Sequence, residues 1–266
     1  MTETGGAPAG ASGGASGGSL APFDLTGRVA IITGAAGGIG SAMTRRFAEA
    51  GARLALLDRN PDVIAAAEAL GPQHRGYVGD VTDEAAIVAQ VAAVAKDFGG
   101  IDILVNNAGI GTLHPAEEKP TDDFDLTIAV NLRAPFLYAR EAARHMLAKG
   151  WGRVVTIASQ AAIIGIEGHV AYSASKAGLI GMTNCMALEW GPRGVTANCI
   201  SPTVVETAMA KIGWAGEKGV RARAEIPTRR FAQPDEIALA AIYLASDAAA
   251  MVNGANLMVD GGYTIR

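Results

Sequence analysis

Residues 28–40 read RVAIITGAAGGIG, a short apolar run that passes directly into a glycine-rich turn. A β-branched apolar run that ends in glycines is typical of a buried strand followed by a tight turn. Gly34, Gly38 and Gly40 let the backbone approach a pyrophosphate, and a helix beginning after the turn offers free N–H groups and a positive dipole end. The stretch predicts the strand, turn and helix start of a dinucleotide site. A tight turn without a ligand is the structural alternative.

Strand and helix patterns alternate along the rest of the chain. Helical periodicity covers residues 42–50 and 85–99, and a long helix runs through Tyr172. Continuous apolar strands between such helices predict an α/β fold: one doubly wound parallel sheet with helices on both faces. The other predicted strands are RLALLD (53–58), the beginning of IDILVNNAG (101–109), RVVTIAS (153–159), VTANCIS (195–201) and ANLMVDGG (255–262).

The composition fits one large domain with a sizeable core, because half of the 266 residues are hydrophobic and 18% are charged. A net charge of −4 without a basic run does not favour a nucleic-acid partner. No apolar run approaches the roughly 20 residues of a membrane span, so no membrane partner is predicted, and no metal site is predicted. Cys185 and Cys199 lie in apolar runs, which predicts buried free thiols and a reducing, cytoplasmic location.

The N-terminal residues differ from the rest. The stretch GGAPAGASGGASGG (5–18) has no large side chain, so it cannot bury enough surface to offset the entropy of ordering. We expect a flexible tail over residues 1–22 and a single dinucleotide-binding catalytic domain over residues 23–266. Acidic Glu3 and the lack of a basic start do not fit a secretory signal.

The choice of cofactor depends on Asp58, which ends the second predicted strand eighteen residues after Gly40. A carboxylate at this place accepts hydrogen bonds from an adenosine ribose and repels a 2′-phosphate. Arg59 is a neighbouring cation that would tolerate a phosphate and so weakens the argument. The sequence predicts NAD in preference to NADP.

Several motifs occur in the order typical of one enzyme family: TGAAGGIG (33–40), NNAG (106–109), Asn131, Ser159, YSASK (172–176) and PTVVET (202–207). From about Leu25 to its C-terminus the chain resembles the short-chain dehydrogenase/reductase family. The resemblance implies a single Rossmann-type domain with a seven-stranded parallel sheet. It also implies assembly as a homotetramer or a dimer, and we expect the homotetramer.

Tyr172 and Lys176 are four positions apart, which places both side chains on one face of a helix. The resemblance implies that Tyr172 is the general acid/base, exchanging a proton with the alcohol or carbonyl while a hydride passes to or from the nicotinamide. Positive charge from Lys176 and the oxidised nicotinamide is expected to lower the pKa of Tyr172 toward the working pH. Ser159 is expected to steady the reacting oxygen, and Asn131 to hold a water that links Lys176 to solvent. An ordinary half-buried tyrosine and a solvated lysine are the structural alternative.

The resemblance also implies cofactor contacts along the ends of the strands. These contacts are Ile39 at the pyrophosphate, Asp80 and Val81 at the adenine, Asn107, Ala108 and Gly109 beneath the adenosine ribose, Lys176 at the nicotinamide ribose, and Val205 and Thr207 at the carboxamide. One departure stands out, since Thr203 follows Pro202 where the family usually has glycine. Either this position does not need a positive φ, or the local path of the chain differs.

Substrate specificity is expected in the segment between Thr207 and Gln233, which covers the nicotinamide in this family. Gln160, His169 and Trp214 are candidate pocket residues. Their structural alternatives are a turn former, a surface loop residue and a hydrophobic clamp, respectively. Polar candidates favour a hydroxyl-bearing substrate, because a polyol can pair a buried amide.

The C-terminal runs AAIYLASDAAAMVNGA (240–255) and VDGGYTIR (259–266) resemble polyol dehydrogenases of the threitol and galactitol type within the family. We therefore predict an oxidoreductase that oxidises a secondary alcohol of a small polyol to a ketose.

Two alternative functions remain. A 3-oxoacyl thioester reductase of the same family commonly uses NADPH and carries a basic residue in the first glycine turn, which this chain lacks. A nucleotide-binding protein without catalytic activity would lack at least one of Ser159, Tyr172 and Lys176, and all three are present.

Overall fold

The computed structural model describes residues 21–207, 210 and 214–266. Most of the predicted tail, residues 1–20, lies outside the described part of the chain. The last two residues of the predicted tail belong to a 3-10 turn, Ala21–Phe23. In the segment expected to cover the nicotinamide, residues 208, 209 and 211–213 also lie outside the described part.

Seven parallel strands form one sheet in the order β3-β2-β1-β4-β5-β6-β7. The order reverses between β1 and β4, and this is the point where open α/β sheets form a crevice at the carboxyl ends of their strands. The predicted doubly wound parallel sheet is therefore confirmed. The strands are β1 (Val29–Thr33), β2 (Arg53–Asp58), β3 (Arg75–Val78), β4 (Ile103–Asn106), β5 (Gly152–Ile157), β6 (Val195–Pro202) and β7 (Asn256–Val259).

Helices connect the strands. A π-helical turn, Ala129–Arg133, joins the fourth helix to the fifth and carries Asn131. In the described part of the chain, no helix combines the length and the apolar character that crossing a bilayer requires. The helices are α1 (Gly38–Glu49), α2 (Asp62–Leu70), α3 (Glu84–Phe98), α4 (Thr121–Ile128), α5 (Ala134–Lys149), α6 (Val170–Trp190), α7 (Gly216–Glu225) and α8 (Pro234–Ala245).

Two apolar clusters cover the two faces of the sheet. Alternate residues of β1 supply both, since Ala30 and Ile32 pack in one cluster and Val29 and Ile31 in the other. Helices α1, α2 and α8 close the first cluster, and α3, α5 and α6 close the second. Because β1 is buried on both sides, its polar ends are the only places where it can meet a ligand, and its carboxyl end carries the glycine turn.

The apolar runs in the sequence do not predict strand β3. It lies at the edge of the sheet, pairs with β2 alone, and its four residues RGYV are exposed or only half-buried. An edge strand with a solvated face does not need the continuous apolar run that marks the central strands.

The two cysteines have different environments. Cys199 is buried in β6, as predicted, whereas Cys185 is exposed on α6, so the prediction of a buried thiol is wrong there. The neighbouring residues Met186 and Ala187 occupy the buried face of α6. With 3.6 residues per turn, Cys185 then points away from the core although the surrounding sequence is apolar.

Candidate active site

The glycine turn after β1 has no room for a side chain at Gly34 or Gly40, and Gly34 and Gly38 have positive φ. A Cβ at Gly40 would lie 1.9 Å from the carbonyl oxygen of Gly34. Gly38 has φ +50°, and a Cβ there would lie 3.2 Å from Cγ2 of Thr207. Glycine is thus required by close backbone approach at Gly40 and by a left-handed conformation at Gly38. The turn leads directly into the N-terminus of α1, so it fits the pyrophosphate of a dinucleotide.

Asn107, which follows β4, holds this turn in place through hydrogen bonds. Its Nδ2 donates to the carbonyl oxygens of Thr33 and Gly34, each at 3.0 Å. The backbone N–H groups of Asn107 and Ala108 donate to Oγ1 of Thr33 at 3.0 and 3.1 Å. The predicted residues Asn107 and Ala108 therefore lie against the glycine turn, and Thr33 is a supporting residue that sequence reasoning missed.

Asp58 fastens the end of β2 to the same turn. Its Oδ2 accepts the backbone N–H of Ala36 at 2.9 Å, and its Oδ1 accepts the backbone N–H of Asn60 at 3.0 Å. Each carboxylate oxygen keeps a further lone pair for a ligand. The negative charge is consequently fixed beside the turn, where the sequence placed an adenosine ribose.

The predicted adenine contacts follow β3. Asp80 is exposed, and its Oδ1 accepts the backbone N–H and the hydroxyl of Thr82, both at 2.8 Å. These hydrogen bonds lower the pKa of Asp80, with a smaller contribution from the nearby cation Arg59. Val81 packs half-buried on the second core cluster. Arg59 directly follows Asp58 in the sequence, and it also contributes to the lowered pKa of Asp80.

Ser159, Tyr172 and Lys176 converge at the carboxyl end of β5. Lys176 Nζ lies 5.6 Å from the centroid of the Tyr172 ring, and it donates to the carbonyl oxygen of Ile157 at 2.7 Å. Ser159 lies two residues after the end of β5, and its hydroxyl is near enough to the Tyr172 phenol to lower the pKa of Tyr172. Its Oγ also accepts the N–H of Ala161 at 3.1 Å. Three polar side chains from one strand end and one helix therefore surround a single reacting position.

The pKa shifts in this cluster follow from burial. Burial raises the pKa of Tyr172, and the hydrogen bond with Ser159 acts in the opposite direction. Burial also lowers the pKa of Lys176 to about 8. Among the protein's own groups, burial therefore outweighs Ser159, and the expected lowering by Lys176 together with the oxidised nicotinamide stays a prediction. Loss of solvent around the phenol is the larger effect, and the neighbouring ammonium is itself weakened as a cation by burial.

Asn131 lies beside Lys176 but bonds to other groups. Its Oδ1 accepts the N–H of Ile110, and its Nδ2 donates to the carbonyl oxygen of Ile110, both at 2.8 Å. Its Nδ2 also lies 3.2 Å from Oγ of Ser175. A Cβ built on Gly109 would lie 3.4 Å from Asn131 Oδ1 and 3.6 Å from Lys176 Nζ. Gly109 thus marks a place that both side chains reach, as the predicted relay requires.

The other predicted cofactor contacts lie near the glycine turn. Ile39 packs half-buried on the first core cluster. Val205 is buried and pairs with Ala232, while Thr207 approaches Gly38. Among the described residues, Arg229 is the only non-glycine residue with positive φ, so Thr203 does not need glycine's freedom.

The three substrate candidates differ in position. Gln160 is 7% exposed beside Ser159, and its Oε1 has no hydrogen-bond partner among the described residues. The His169 ring meets the Tyr172 ring edge-on, with centroids 5.9 Å apart. The aromatic ring of Trp214 instead contacts Phe231 and the ammonium of Lys218. The structure therefore brings Gln160 and His169 to the catalytic cluster and places Trp214 on the segment around α7.

Sequence reasoning missed residues 110–114, which run beside Tyr172. A Cβ on Gly111 would lie 3.5 Å from Cδ2 of Tyr172. The supporting side chains come from Lys119 and Asp123, whose i, i+4 spacing at a helix start is the one sequence feature that indicates them.

Comparison with known proteins finds similarity along almost the whole chain. A family model described as enoyl-(acyl carrier protein) reductase matches residues 34–264. The D-threitol dehydrogenase of Mycolicibacterium smegmatis is 51% identical over 251 residues, which cover 92% of this chain and 95% of that protein. The NAD-dependent glycerol dehydrogenase of Listeria innocua is 44% identical over 245 residues, which cover 92% and 96%.

Similarity extends to solved structures. A crystal structure of an NAD+-bound xylitol dehydrogenase superposes with a TM-score of 0.85 at 32% identity, and the match covers 90% of this chain and 99% of that one. The glycine turn, the carboxyl end of β5 and helix α6 thus belong to a fold that is shared over 90% of this chain.

Proposed function

The chain belongs to the short-chain dehydrogenase/reductase family and is an NAD(P)-dependent oxidoreductase, and from this premise we propose that it oxidises a secondary alcohol of a small polyol to a ketone with NAD. The observation that carries the reaction class is the convergence of Ser159, Tyr172 and Lys176 at the carboxyl end of β5, on the same edge of the parallel sheet as the glycine turn. General acid/base catalysis needs a titratable group within hydrogen-bond reach of the reacting oxygen, and Tyr172 with Ser159 fits that need.

In the proposed reaction the alcohol loses two electrons and two hydrogens. A bound oxidised nicotinamide would supply the acceptor for the hydride from the carbinol carbon. Tyr172 takes the hydroxyl proton, and Ser159 donates a hydrogen bond to the substrate oxygen as the carbonyl forms. Lys176, with a pKa near 8, supplies positive charge that favours the phenolate form of Tyr172. Lys176 then passes the proton toward solvent through a water that Asn131 would hold.

The preference for NAD rests on Asp58. Both of its carboxylate oxygens are held by backbone N–H groups, one of them from Ala36 in the glycine turn. A 2′-phosphate at the adenosine ribose would meet this fixed negative charge, whereas a ribose hydroxyl can donate to it. Arg59 is exposed and lies near enough to Asp80 to contribute to the lowered pKa of that carboxyl.

The polyol assignment rests on Gln160 and on the named relatives. The relatives include enzymes named for threitol, glycerol and xylitol. A buried amide oxygen without a partner costs about 1–3 kcal/mol, and a substrate hydroxyl beside the reacting one can supply the missing donor. His169, at the edge of the Tyr172 ring, offers a second polar group. A substrate with several adjacent hydroxyls matches this lining.

The test is NADH formation at 340 nm with D-threitol and other four- to six-carbon polyols, beside oxidation of NADH and of NADPH with an acetoacetyl thioester. The thioester arm is needed because the matching family model is described by an acyl-carrier-protein activity. We expect turnover of at least one polyol at millimolar concentration and little turnover of the thioester. Thioester turnover without oxidation of any polyol would overturn the proposal and favour the reductase alternative.

We also propose that the enzyme is a cytoplasmic homotetramer. Several large apolar side chains lie open on the surface, including Phe136 on α5, Leu188 on α6 and Met251. We infer that partner chains cover these side chains in the assembly. Light scattering should give four times the chain mass of 27.1 kDa. A monomeric mass at micromolar concentration would contradict the assembly, and the catalytic proposal does not depend on it.

A further inference from the structure

A short segment of irregular backbone, residues 110–114, forms one wall beside the catalytic tyrosine. Gly111 faces the Tyr172 ring, with its would-be Cβ 3.5 Å from Cδ2. The backbone N–H of His114 donates to the carbonyl oxygen of Gly168 at 3.2 Å, next to His169, whose ring meets Tyr172. The 110–114 wall and the turn before α6 therefore enclose Tyr172 from two sides.

Side chains from the helical segment that follows hold this wall in place. The side-chain amide of Asn131 hydrogen-bonds to both the N–H and the carbonyl oxygen of Ile110. Lys119 Nζ donates to the carbonyl oxygen of Thr112 at 3.1 Å and also to its hydroxyl. The wall has no strand or helix of its own, so these contacts decide where it lies.

The anchor at Lys119 is unusual because its cation is buried. The Lys119 side chain is 4% exposed, and its Nζ lies 3.8 Å from Oδ2 of Asp123. The same oxygen lies 3.2 Å from Nε2 of His114, at the end of the wall. A buried ammonium is costly unless it is paired and hydrogen-bonded, and here two acceptors on Thr112 and one carboxylate satisfy it. Lys119 and Asp123 thereby connect both ends of the segment from Thr112 to His114.

We infer that Lys119 is a positioning residue for substrate specificity, because it fixes the 110–114 wall against which the alcohol must lie to reach Tyr172. Among the described residues, Lys119 has no hydrogen bond or ion pair with Ser159, Tyr172 or Lys176. It acts through the wall, with Asp123 as its partner. The inference rests on the proposed function for the identity of the substrate, and on geometry alone for the fixing of the wall.

The experiment compares Lys119→Met, Lys119→Arg and the control Lys96→Met in the full chain. Lys96 is an exposed lysine on α3 and has no hydrogen bond or ion pair within the described part of the chain. Three quantities are measured: amide hydrogen exchange of residues 110–114, kcat and KM for D-threitol, and the dissociation constant of NADH by fluorescence titration.

In Lys119→Met we expect exchange of the 110–114 amides to rise at least about tenfold, because the segment loses its buried anchor. KM for D-threitol should rise at least about fivefold while kcat and NADH affinity stay within about twofold, the pattern of lost substrate positioning. Lys119→Arg keeps the charge and N–H donors and should recover at least half of the loss. Lys96→Met should match the wild type.

Unchanged exchange in Lys119→Met would overturn the inference, whatever the substrate is, and so would a failure of Lys119→Arg to recover it. A parallel loss of kcat and NADH affinity would also overturn it, since that result means a general structural role. If the wild type does not oxidise D-threitol or any other polyol, the proposed function fails, while the exchange experiment still decides whether Lys119 fixes the wall.

Discussion

The cofactor side and the substrate side of the crevice are held together in different ways. On the cofactor side, residues at the ends of neighbouring strands bond to the glycine turn itself, as Asp58 does through Ala36 and Asn107 through Gly34. On the substrate side, the 110–114 wall depends on single side chains from other segments, chiefly Asn131 and Lys119. The first arrangement follows from the parallel sheet, and the second from particular long-range contacts.

This difference predicts which part of the crevice depends on the backbone of the fold and which part depends on single side chains. A strand-turn-helix unit carries the same backbone N–H groups whatever surrounds it, so it can serve many substrates. A wall of irregular backbone changes position when one anchoring side chain changes. Variants on the two sides should therefore affect different ligands.

The largest effect is expected at the point where both sides meet. Tyr172→Phe removes the proton acceptor at the reacting oxygen with little change in volume. Turnover should fall by about 10²–10⁴-fold, the usual range for general acid/base catalysis, while the dissociation constant of NADH stays within about twofold. Steady-state kinetics with NADH titration checks both, and near-normal turnover would remove Tyr172 from the proposed role.

Gly40→Ala should damage the cofactor side alone. Its new methyl group would lie 1.9 Å from the carbonyl oxygen of Gly34, so the turn must shift. Crowding of this kind costs about 1–3 kcal/mol, and we expect a loss in both NADH affinity and free energy of unfolding. Gly37→Ala is the matched control, because a Cβ there meets nothing within 4 Å and its φ of −133° suits alanine. Equal NADH affinity in the two variants would contradict the close approach.

Asp58→Ala should change the choice of cofactor. We expect the wild type to prefer NAD over NADP at least about tenfold in kcat/KM, or roughly 1.4 kcal/mol, and the variant to narrow this ratio. Because Asp58 also accepts the N–H of Ala36, the alanine variant should use NAD less well too. Asp58→Asn retains an acceptor without the charge, so it should lower the ratio with a smaller loss toward NAD. An unchanged ratio in both variants would place the discrimination elsewhere.

The smallest effect concerns stability rather than either ligand. His74 is buried, and its Nδ1 accepts the backbone N–H of Leu54 at 3.2 Å. Burial lowers the pKa of His74, so below pH 6.5 the unfolded chain binds a proton that the folded chain resists. The free energy of unfolding should therefore fall as the pH drops from about 7 to 5.5, by up to roughly 1 kcal/mol.

Denaturant unfolding of the wild type at the two pH values measures this loss. His74→Leu should flatten the pH dependence, whereas His145→Leu, at an exposed histidine, should keep it. A wild-type protein that is equally stable at both pH values would contradict the effect of burial on His74.

The sequence predicted the sheet and the cofactor side well because their patterns are local. Strand β2 begins and ends where its apolar run does, from Arg53 to Asp58. Edge strand β3 escaped notice because half of its surface is solvated, and Cys185 was misplaced because an apolar neighbourhood does not give the direction of a helical side chain. Register and direction come from packing, which a one-dimensional pattern records only in part.

The substrate side was predicted less completely. The sequence predicts Gln160 as a pocket residue because it follows Ser159, and it predicts His169 as a further polar candidate; Gln160 lies beside Ser159 and the His169 ring meets Tyr172. Lys119 was not identified, since nothing in its own neighbourhood shows that it reaches back to Thr112 or that its cation is buried. The raised pKa of Tyr172 was also beyond the sequence, because it depends on how much solvent the fold removes.

The central claim is that Gln160 pairs with a hydroxyl of a polyol substrate and has no role on the cofactor side. This claim is tested most directly by measuring KM for D-threitol and the dissociation constant of NADH in Gln160→Leu and in the wild type. We expect KM to rise at least about fivefold, or roughly 1 kcal/mol, with NADH affinity within about twofold, because leucine cannot accept or donate a hydrogen bond. An unchanged KM, or an equal loss in both quantities, would contradict the assignment of Gln160 to the substrate.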